Sequence, residues 1–271
     1  MLYLFGGWDG NRDLADFWAY DICQGKWRLL SLDTEADGGP SPRSCHKMVL
    51  DQNSRHIFIL GRYLERGLRD RAQNIKVRIY CKIKQHLFKM FSTFQSDFYK
   101  YDIIKNQWTL ISEDTSKNSG PMLIFDHQMC IDPDKSKIYV FGGQSLFISM
   151  TDGPVSSSEK MYSGLYEYHI PSDTWTKRRD DVGSGSSNFE LKSRSSHSML
   201  FHPKLRKLFI FGGQRKGSEY LNDFFSYNVD SDEIEMISSG TCPESAIPAV
   251  GHTQRATIDW EKHEIHVMTV S

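Results

Sequence analysis

Lys207-Leu208-Phe209-Ile210-Phe211-Gly212-Gly213 is an apolar run closed by two glycines, and the rest of the chain is organised around copies of it. The glycine pair returns at Gly6-Gly7 and Gly142-Gly143, and Gly61-Arg62 holds the same place in another copy. Self-similarity at a fixed period decides an architecture before any local reading does. A shift of 81 residues lays Tyr20 on Tyr101, Trp27 on Trp108, Asp33-Thr34 on Asp114-Thr115, Gly39-Pro40 on Gly120-Pro121, His46 on His127, Asp51 on Asp132 and Gly61 on Gly142. A further shift of 70 carries His127 to His197 and Gly142-Gly143 to Gly212-Gly213. The unit therefore recurs about every 70 to 80 residues across the 271 of the chain.

Each unit holds four apolar segments separated by turn residues, the content of a four-stranded propeller blade. In the unit around residue 207, Ser198 to Phe201 reads as the first strand and Lys207 to Phe211 as the second, ended by Gly212-Gly213. Asp223 to Tyr227 reads as the third strand and Glu233 to Ile237 as an outer fourth, alternating polar and apolar. Glycine at the inner end of a strand admits close backbone approach and positive φ where a Cβ would clash. A tyrosine on strand three precedes a tryptophan on strand four by seven residues in Tyr20/Trp27, Tyr101/Trp108 and Tyr168/Trp175, while Tyr227 is matched to Ile234. That spacing predicts paired rings at the seams between blades, each removing roughly 150–250 Å² from water.

The expected fold class is all-β: blades of four antiparallel strands forming an incomplete ring. Residues 1–30 are read as a partial blade of strands two to four, 43–111, 124–178 and 194–237 as complete blades, and 251–271 as strands one and two of another. The first unit begins at its second strand and the last has Thr269-Val270 in place of the glycines, so a longer propeller is expected to contain this run.

A diglycine, then a tyrosine, then a tryptophan at fixed distance resembles the kelch repeat over nearly the whole chain. Longer phrases resemble the muskelin-type kelch proteins: Trp-Lys/Arg-Leu-Leu followed by Ser-x-Asp-Thr, Phe125-Asp126-His127-Gln128-Met129-Cys130, Tyr220-Leu221-Asn222-Asp223-Phe224-Phe225-Ser226-Tyr227 and Thr253-Gln254-Arg255-Ala256-Thr257-Ile258-Asp259. That resemblance implies an intracellular adaptor whose propeller follows a discoidin-like domain and LisH and CTLH helical motifs. It also implies association with a CTLH-type ubiquitin ligase assembly, cell spreading and receptor trafficking. Homo-oligomerisation would then rest with the accessory domains.

Net charge is −1, so no global field draws the molecule to nucleic acid or an anionic membrane. Five scattered cysteines without a C-x-x-C pair argue against a disulfide framework or a zinc site and fit a reducing, cytoplasmic compartment, with the nucleus also compatible. The N-terminal run lacks a basic segment and is short for a signal peptide, and no segment approaches the ~18 apolar residues of a membrane span.

The outlier is the connection after Gly61-Arg62: 38 residues separate Arg62 from Tyr101, against twelve between Gly7 and Tyr20. It holds eight Lys or Arg between Arg66 and Lys89, among them Arg66, Arg69, Arg78 and Lys82. Connections this long are solvated insertions or functional loops. Three readings stand: a solvated insertion, a loop for an acidic protein surface, and contact with anionic lipid or RNA through basic residues interleaved with Tyr80, Phe88 and Phe91.

No nucleophile elbow or phosphate cradle is present in the serine-rich tracts at 156–158 and 184–187. His46, His127 and His197 occupy one place per unit, which points to a structural hydrogen bond with a neighbouring blade's backbone. His263 and His266, read as residues of one strand, would face opposite ways and chelate nothing. No cofactor, metal ligand or catalytic residue is assigned. The expected function is non-enzymatic protein binding through the connections between strands two and three, at Arg66, Arg69, Arg78, Lys82, Gln144, Phe147, Arg215 and Tyr220. A kelch-fold metalloenzyme of the oxidase kind and an actin-associated scaffold are the alternatives.

Overall fold

The structure is a computed structural model that describes residues 1–63, 95–145, 161–180, 191–215, 219–240 and 255–268. These residues form two compact units, the first holding strands β1 to β8 and the second β9 to β20.

In the first unit, β1 (Leu2–Trp8), β2 (Asp13–Asp21) and β3 (Lys26–Ser31) make one antiparallel sheet. A second sheet of four strands runs β4 (Lys47–Asp51), β5 (His56–Leu60), β6 (Phe98–Asp102), β7 (Gln107–Ser112), each paired with the next. The short β8 (Ile124–Phe125) joins this unit, its Ile124 carbonyl accepting from the Arg62 amide at 3.1 Å. In the second unit, β9 (Gln128–Asp132) and β10 (Lys137–Phe141) are followed by a small ladder of β11 (Gln144–Ser145) and β12 (Met161–Tyr162). Then β13 (Leu165–His169) and β14 (Thr174–Arg179) complete a four-stranded sheet in the order β14-β13-β10-β9. The next sheet is β15 (Ser198–His202), β16 (Lys207–Arg215), β17 (Glu219–Asn228), β18 (Ile234–Ser238), and the last is the hairpin of β19 (Arg255–Asp259) and β20 (Glu264–Met268). Three complete blades and two partial ones are therefore present among the described residues, an incomplete propeller by count.

The sequence pattern explains which strand lies where. β5 is buried from Ile57 to Leu60, as the apolar run of an inner strand is, whereas β18 alternates half-buried and exposed positions as an outer strand does. Tyr20, Tyr101 and Tyr168 are register partners of Trp27, Trp108 and Trp175, and Tyr227 is the partner of Ile234, as the seven-residue spacing requires.

These pairs make the seams. Phe17 meets Tyr101 edge-on at 4.8 Å and Trp108 at 5.3 Å, while Phe5, Ile57 and Ile59 fill the same cluster in the first unit. In the second unit, Tyr139, Phe141 and Leu165 of one blade pack on Leu208, Ile210, Phe225 and Tyr227 of the next. Cys130 is drawn into this seam, its Sγ donating to the Met199 carbonyl, and burial pushes its thiol up to about 12.

Trp27 departs from the pattern at 55% exposed, and Leu2 and Leu4 on the same sheet face are similarly open. The other blade of its unit lies on the opposite face, against Phe5 and Phe17. Truncating Trp108 to alanine should thus cost about 3–5 kcal/mol of unfolding free energy, while Trp27→Ala should cost less than about 1 kcal/mol for want of buried area. Denaturant midpoints of the two variants check this.

The outer hairpins close by a local device. The phenol of Tyr168 donates to Asp173 Oδ1 at 2.8 Å, and Tyr101 and Tyr227 make the same bond to Asn106 and Asp232, each acceptor five residues on. Those acceptors have φ between 51° and 61°, the left-handed region in which Asn and Asp are the tolerated side chains. In the first blade Gly25 stands at this place.

Candidate interaction face at the inner ends of the blades

In the first and third blades strand two leads to a glycine pair, and there the backbone meets the segment entering the next blade, Gly7 donating to the Arg43 carbonyl and Gly143 to that of Arg194. A Cβ on Gly142, whose φ is +69°, would overlap the Arg194 carbonyl oxygen and stand 2.8 Å from His197 Cε1. Gly212-Gly213 does not end its strand, contrary to the sequence expectation. β16 bulges between Phe211 and Gly213 and its ladder resumes with Leu221, Tyr220 and Glu219 out to Arg215. Glycine here supplies the bulge geometry rather than a stop.

The repeated histidines seal these elbows. His46 lies edge-on to Phe5 at 5.0 Å and bonds the Phe5 backbone, and burial, with Arg43 and Lys47 nearby, holds its imidazole down at about 3. His197 meets Phe141 edge-on at 5.2 Å in the same way. His46 thus makes the backbone bond expected at this place, and His197 packs against the Phe141 ring. Among the described residues no group of three or more His, Cys, Asp or Glu is placed to hold a metal ion.

Behind each elbow is a buried arginine that sequence reasoning missed. Arg43 grips Asp97 with both terminal nitrogens at 2.8 and 2.7 Å, gives its Nε to the Ser41 carbonyl at 3.0 Å and lies 5.8 Å over the Tyr99 ring. Arg194, 1% exposed, repeats this with Asp223, the Gly212 and Lys192 carbonyls and the Phe225 ring. Burial tends to raise the Asp97 carboxyl, but the charge and hydrogen bonds of Arg43, with Arg62, hold it below its ordinary value. Each brace ties the segment entering strand one to the third strand's aspartate four residues before its tyrosine, at the head of β6 for Asp97 and within β17 for Asp223. The signal was available: Arg43-Ser44-x-His46 recurs as Arg194-Ser195-x-His197, with an aspartate four residues before the strand-three tyrosine in both. At the equivalent places of the blade between them stand Ile124 and Gly164, so both partners are replaced together.

Within the second unit the two predicted connections are knit at their bases. Ser195 and Gln214 exchange backbone hydrogen bonds at 3.0 and 2.8 Å, Gln144 Nε2 reaches Ser195 Oγ at 3.4 Å, and the Arg215 guanidinium lies 5.4 Å over the Tyr162 ring. Arg215 is buried at 7% exposure and also donates to the Ser193 carbonyl, so it faces the scaffold rather than solvent. Tyr220, opposite Gln214 in the ladder, is 41% exposed. In the first unit, Arg62 NH1 donates to Ser41 Oγ at 2.9 Å. Arg66, Arg69, Arg78, Lys82 and Phe147 lie outside the described residues.

Four-stranded antiparallel blades, glycine elbows and Tyr/Trp seams define a kelch-type β-propeller protein, a scaffold whose variable parts are its connections. A family model described as KLHDC2/KLHL20/DRC7 Kelch-repeats domain matches residues 88–244, more than half of the chain, and the Kelch motif matches residues 1–31; the chain belongs to the kelch-repeat family. It is similar to Mei4-dependent protein 6 of Schizosaccharomyces pombe, 29% identical over 269 residues, which are 98% of this chain and 34% of that protein. It is also similar to Multiple epidermal growth factor-like domains protein 8 of Homo sapiens, 22% identical over 235 residues, 86% of this chain and 6% of that protein. N-(sulfonatooxy)prop-2-enimidothioate sulfolyase of Thlaspi arvense is 34% identical over 67 residues, 25% of this chain and 18% of that protein. The chain spans about a third or less of the length of these relatives.

The comparisons show the kelch family and give no support to the finer muskelin resemblance.

Proposed function

We propose that this chain is a non-enzymatic protein-interaction module of a cytoplasmic adaptor or scaffold, which binds other proteins through the connections between the second and third strands of its blades. The observation that carries this reading is the bracing at the base of those connections. Buried Arg–Asp pairs and the Ser195–Gln214 and Arg215–Tyr162 contacts hold their roots rigidly, leaving the connections to vary, and loops on a rigid frame are where recognition residues concentrate. Five scattered cysteines with no C-x-x-C pair agree with a reducing compartment. A place in a ubiquitin ligase assembly rested on the phrase resemblance alone and forms no part of the proposal.

Replacement of residues 64–94, 146–160 and 216–218 by glycine-serine tracts, with Tyr162 and Arg215 kept, tests it. Quantitative affinity purification should then lose the partners that the unaltered chain recovers, with strand content by circular dichroism unchanged. An unchanged partner set would overturn the proposal.

A further inference from the structure

The turn between strands one and two is capped in most blades by an aspartate at the end of strand one. Asp51 Oδ1 accepts the Asn53 amide at 3.0 Å, Asp132 Oδ1 those of Asp134 and Lys135 at 3.2 and 3.3 Å, and Asp259 Oδ1 those of Glu261 and Lys262 at 3.2 and 3.1 Å. In the remaining complete blade the aspartate's place is taken by His202, whose Nδ1 accepts the Leu205 amide at 3.3 Å. Four residues after each of these caps comes a position at positive φ: Arg55, Ser136, Arg206 and His263, at 51° to 59°.

In the second unit these two positions meet across successive seams. Arg206 reaches back to Asp132 at 2.6 Å, a guanidinium on a carboxylate. At the next seam His263 reaches back to His202, Nδ1 to Nε2 at 2.8 Å, with the rings nearly parallel at 14° and their centres 4.9 Å apart. Both partners have changed together, from an ion pair to two imidazoles. The earlier expectation for His263 also fails: it belongs to the turn before β20, not to the strand, so strand parity does not govern where it points.

The geometry fixes the protons. An amide can only donate, so His202 Nδ1 carries none; its proton is on Nε2 and is given to His263 Nδ1. A second proton on His202 would confront the Leu205 amide, and one on His263 Nδ1 would confront the Nε2–H of His202. The surrounding charges do not welcome either. Lys204 stands over the Trp260 ring at 4.9 Å, Arg206 is turned to Asp132 and Asp230, Lys207 to Glu235 and Lys262 to Asp259, while Phe209 closes the remaining side. His202 is 2% exposed, and its burial, then His263 and Lys204, hold its imidazole below the ordinary histidine value.

We propose that His202 and His263 form a pH-sensitive latch that holds the β19–β20 hairpin on its neighbour while His202 is neutral and releases it when His202 is protonated. With the hairpin undocked, His202 takes up a proton near the ordinary histidine value of about 6.5, and docked it resists protonation to lower pH. The latch is therefore fully made above that pH and weakens as pH falls below it, by up to about tenfold per pH unit for the one proton that His202 takes up. The Asp132–Arg206 seam keeps both charges through this range, so acid loosens one seam and spares the other.

Amide hydrogen exchange on the full chain at pH 7.5 and 5.5, corrected for the intrinsic rates, reads the latch locally. A local readout is needed because neutral His46 in the first unit also loses stability to acid. Protection in β19–β20 should fall by up to about tenfold per pH unit below 6.5, with β9–β10 unchanged, and H202D/H263R, which installs the carboxylate–guanidinium pair, should remove that dependence. Equal protection of β19–β20 at the two pH values, or a dependence that survives in the double variant, would overturn the proposal. Should the double variant misfold, imidazole nitrogen resonances of the unaltered chain decide: His202 Nδ1 must be unprotonated at pH 7.5, and a proton there sinks the latch.

Discussion

Arg194→Ile is expected to lower the unfolding free energy of the second unit by about 3–5 kcal/mol, because it strands the Asp223 carboxylate against a guanidinium-shaped void. The side chain is almost wholly buried, both terminal nitrogens are engaged with the carboxylate, and the Gly212 and Lys192 carbonyls lose their donor as well. The chain contains its own control. Ile124 and Gly164 occupy the corresponding places one blade earlier, so Arg194→Ile combined with Asp223→Gly removes both charges and should lose less than the single substitution does. A double-mutant cycle by denaturant unfolding measures the coupling; additive losses would mean that the pair does not act as a brace.

Gly142→Ala is expected to cost about 2–5 kcal/mol, the sum of a left-handed backbone imposed on an L side chain and the displacement of a neighbouring blade's carbonyl. The conflict is with backbone, the Arg194 oxygen, which has no side-chain freedom with which to yield. Gly38→Ala isolates the first contribution: its φ of +78° is close to that of Gly142, but nothing stands within 4 Å of the added methyl group. The difference between the two variants in denaturant midpoint therefore reports the close approach alone, and equal losses would refute it.

Much of the fold was legible in the chain because its determinants recur. A tyrosine seven residues before a tryptophan marks three blades and a glycine pair marks three, two of them shared, and the spacing of Tyr168 and Trp175 fixed the face they share. The strand through Gly212-Gly213 was not legible, since glycine permits a stop and a bulge alike and only the pairing of Gln214 with Tyr220 decides between them. Arg43 and Arg194 were overlooked because a charged residue beside a turn ordinarily reads as solvated. Their repetition with an aspartate some thirty to fifty positions later, Asp223 and Asp97, was the available clue. Arg215 misled in the same way, reading as a loop cation while it lies over Tyr162. The His202–His263 contact joins residues 61 positions apart with no sequence neighbour in common, and it becomes visible only once His202 is aligned with the capping aspartates.

The phenol that reaches five residues ahead to Asn106, Asp173 or Asp232 fastens each outer hairpin with material from that hairpin alone. A segment copied within such a gene carries this fastening of its outer hairpin with it, while its apolar faces still need neighbours to cover them. Growth by duplication is thus constrained at the seams and almost nowhere else. There the inherited residues must be rewritten two at a time, as an aspartate and an arginine in one seam stand where two histidines stand in the next.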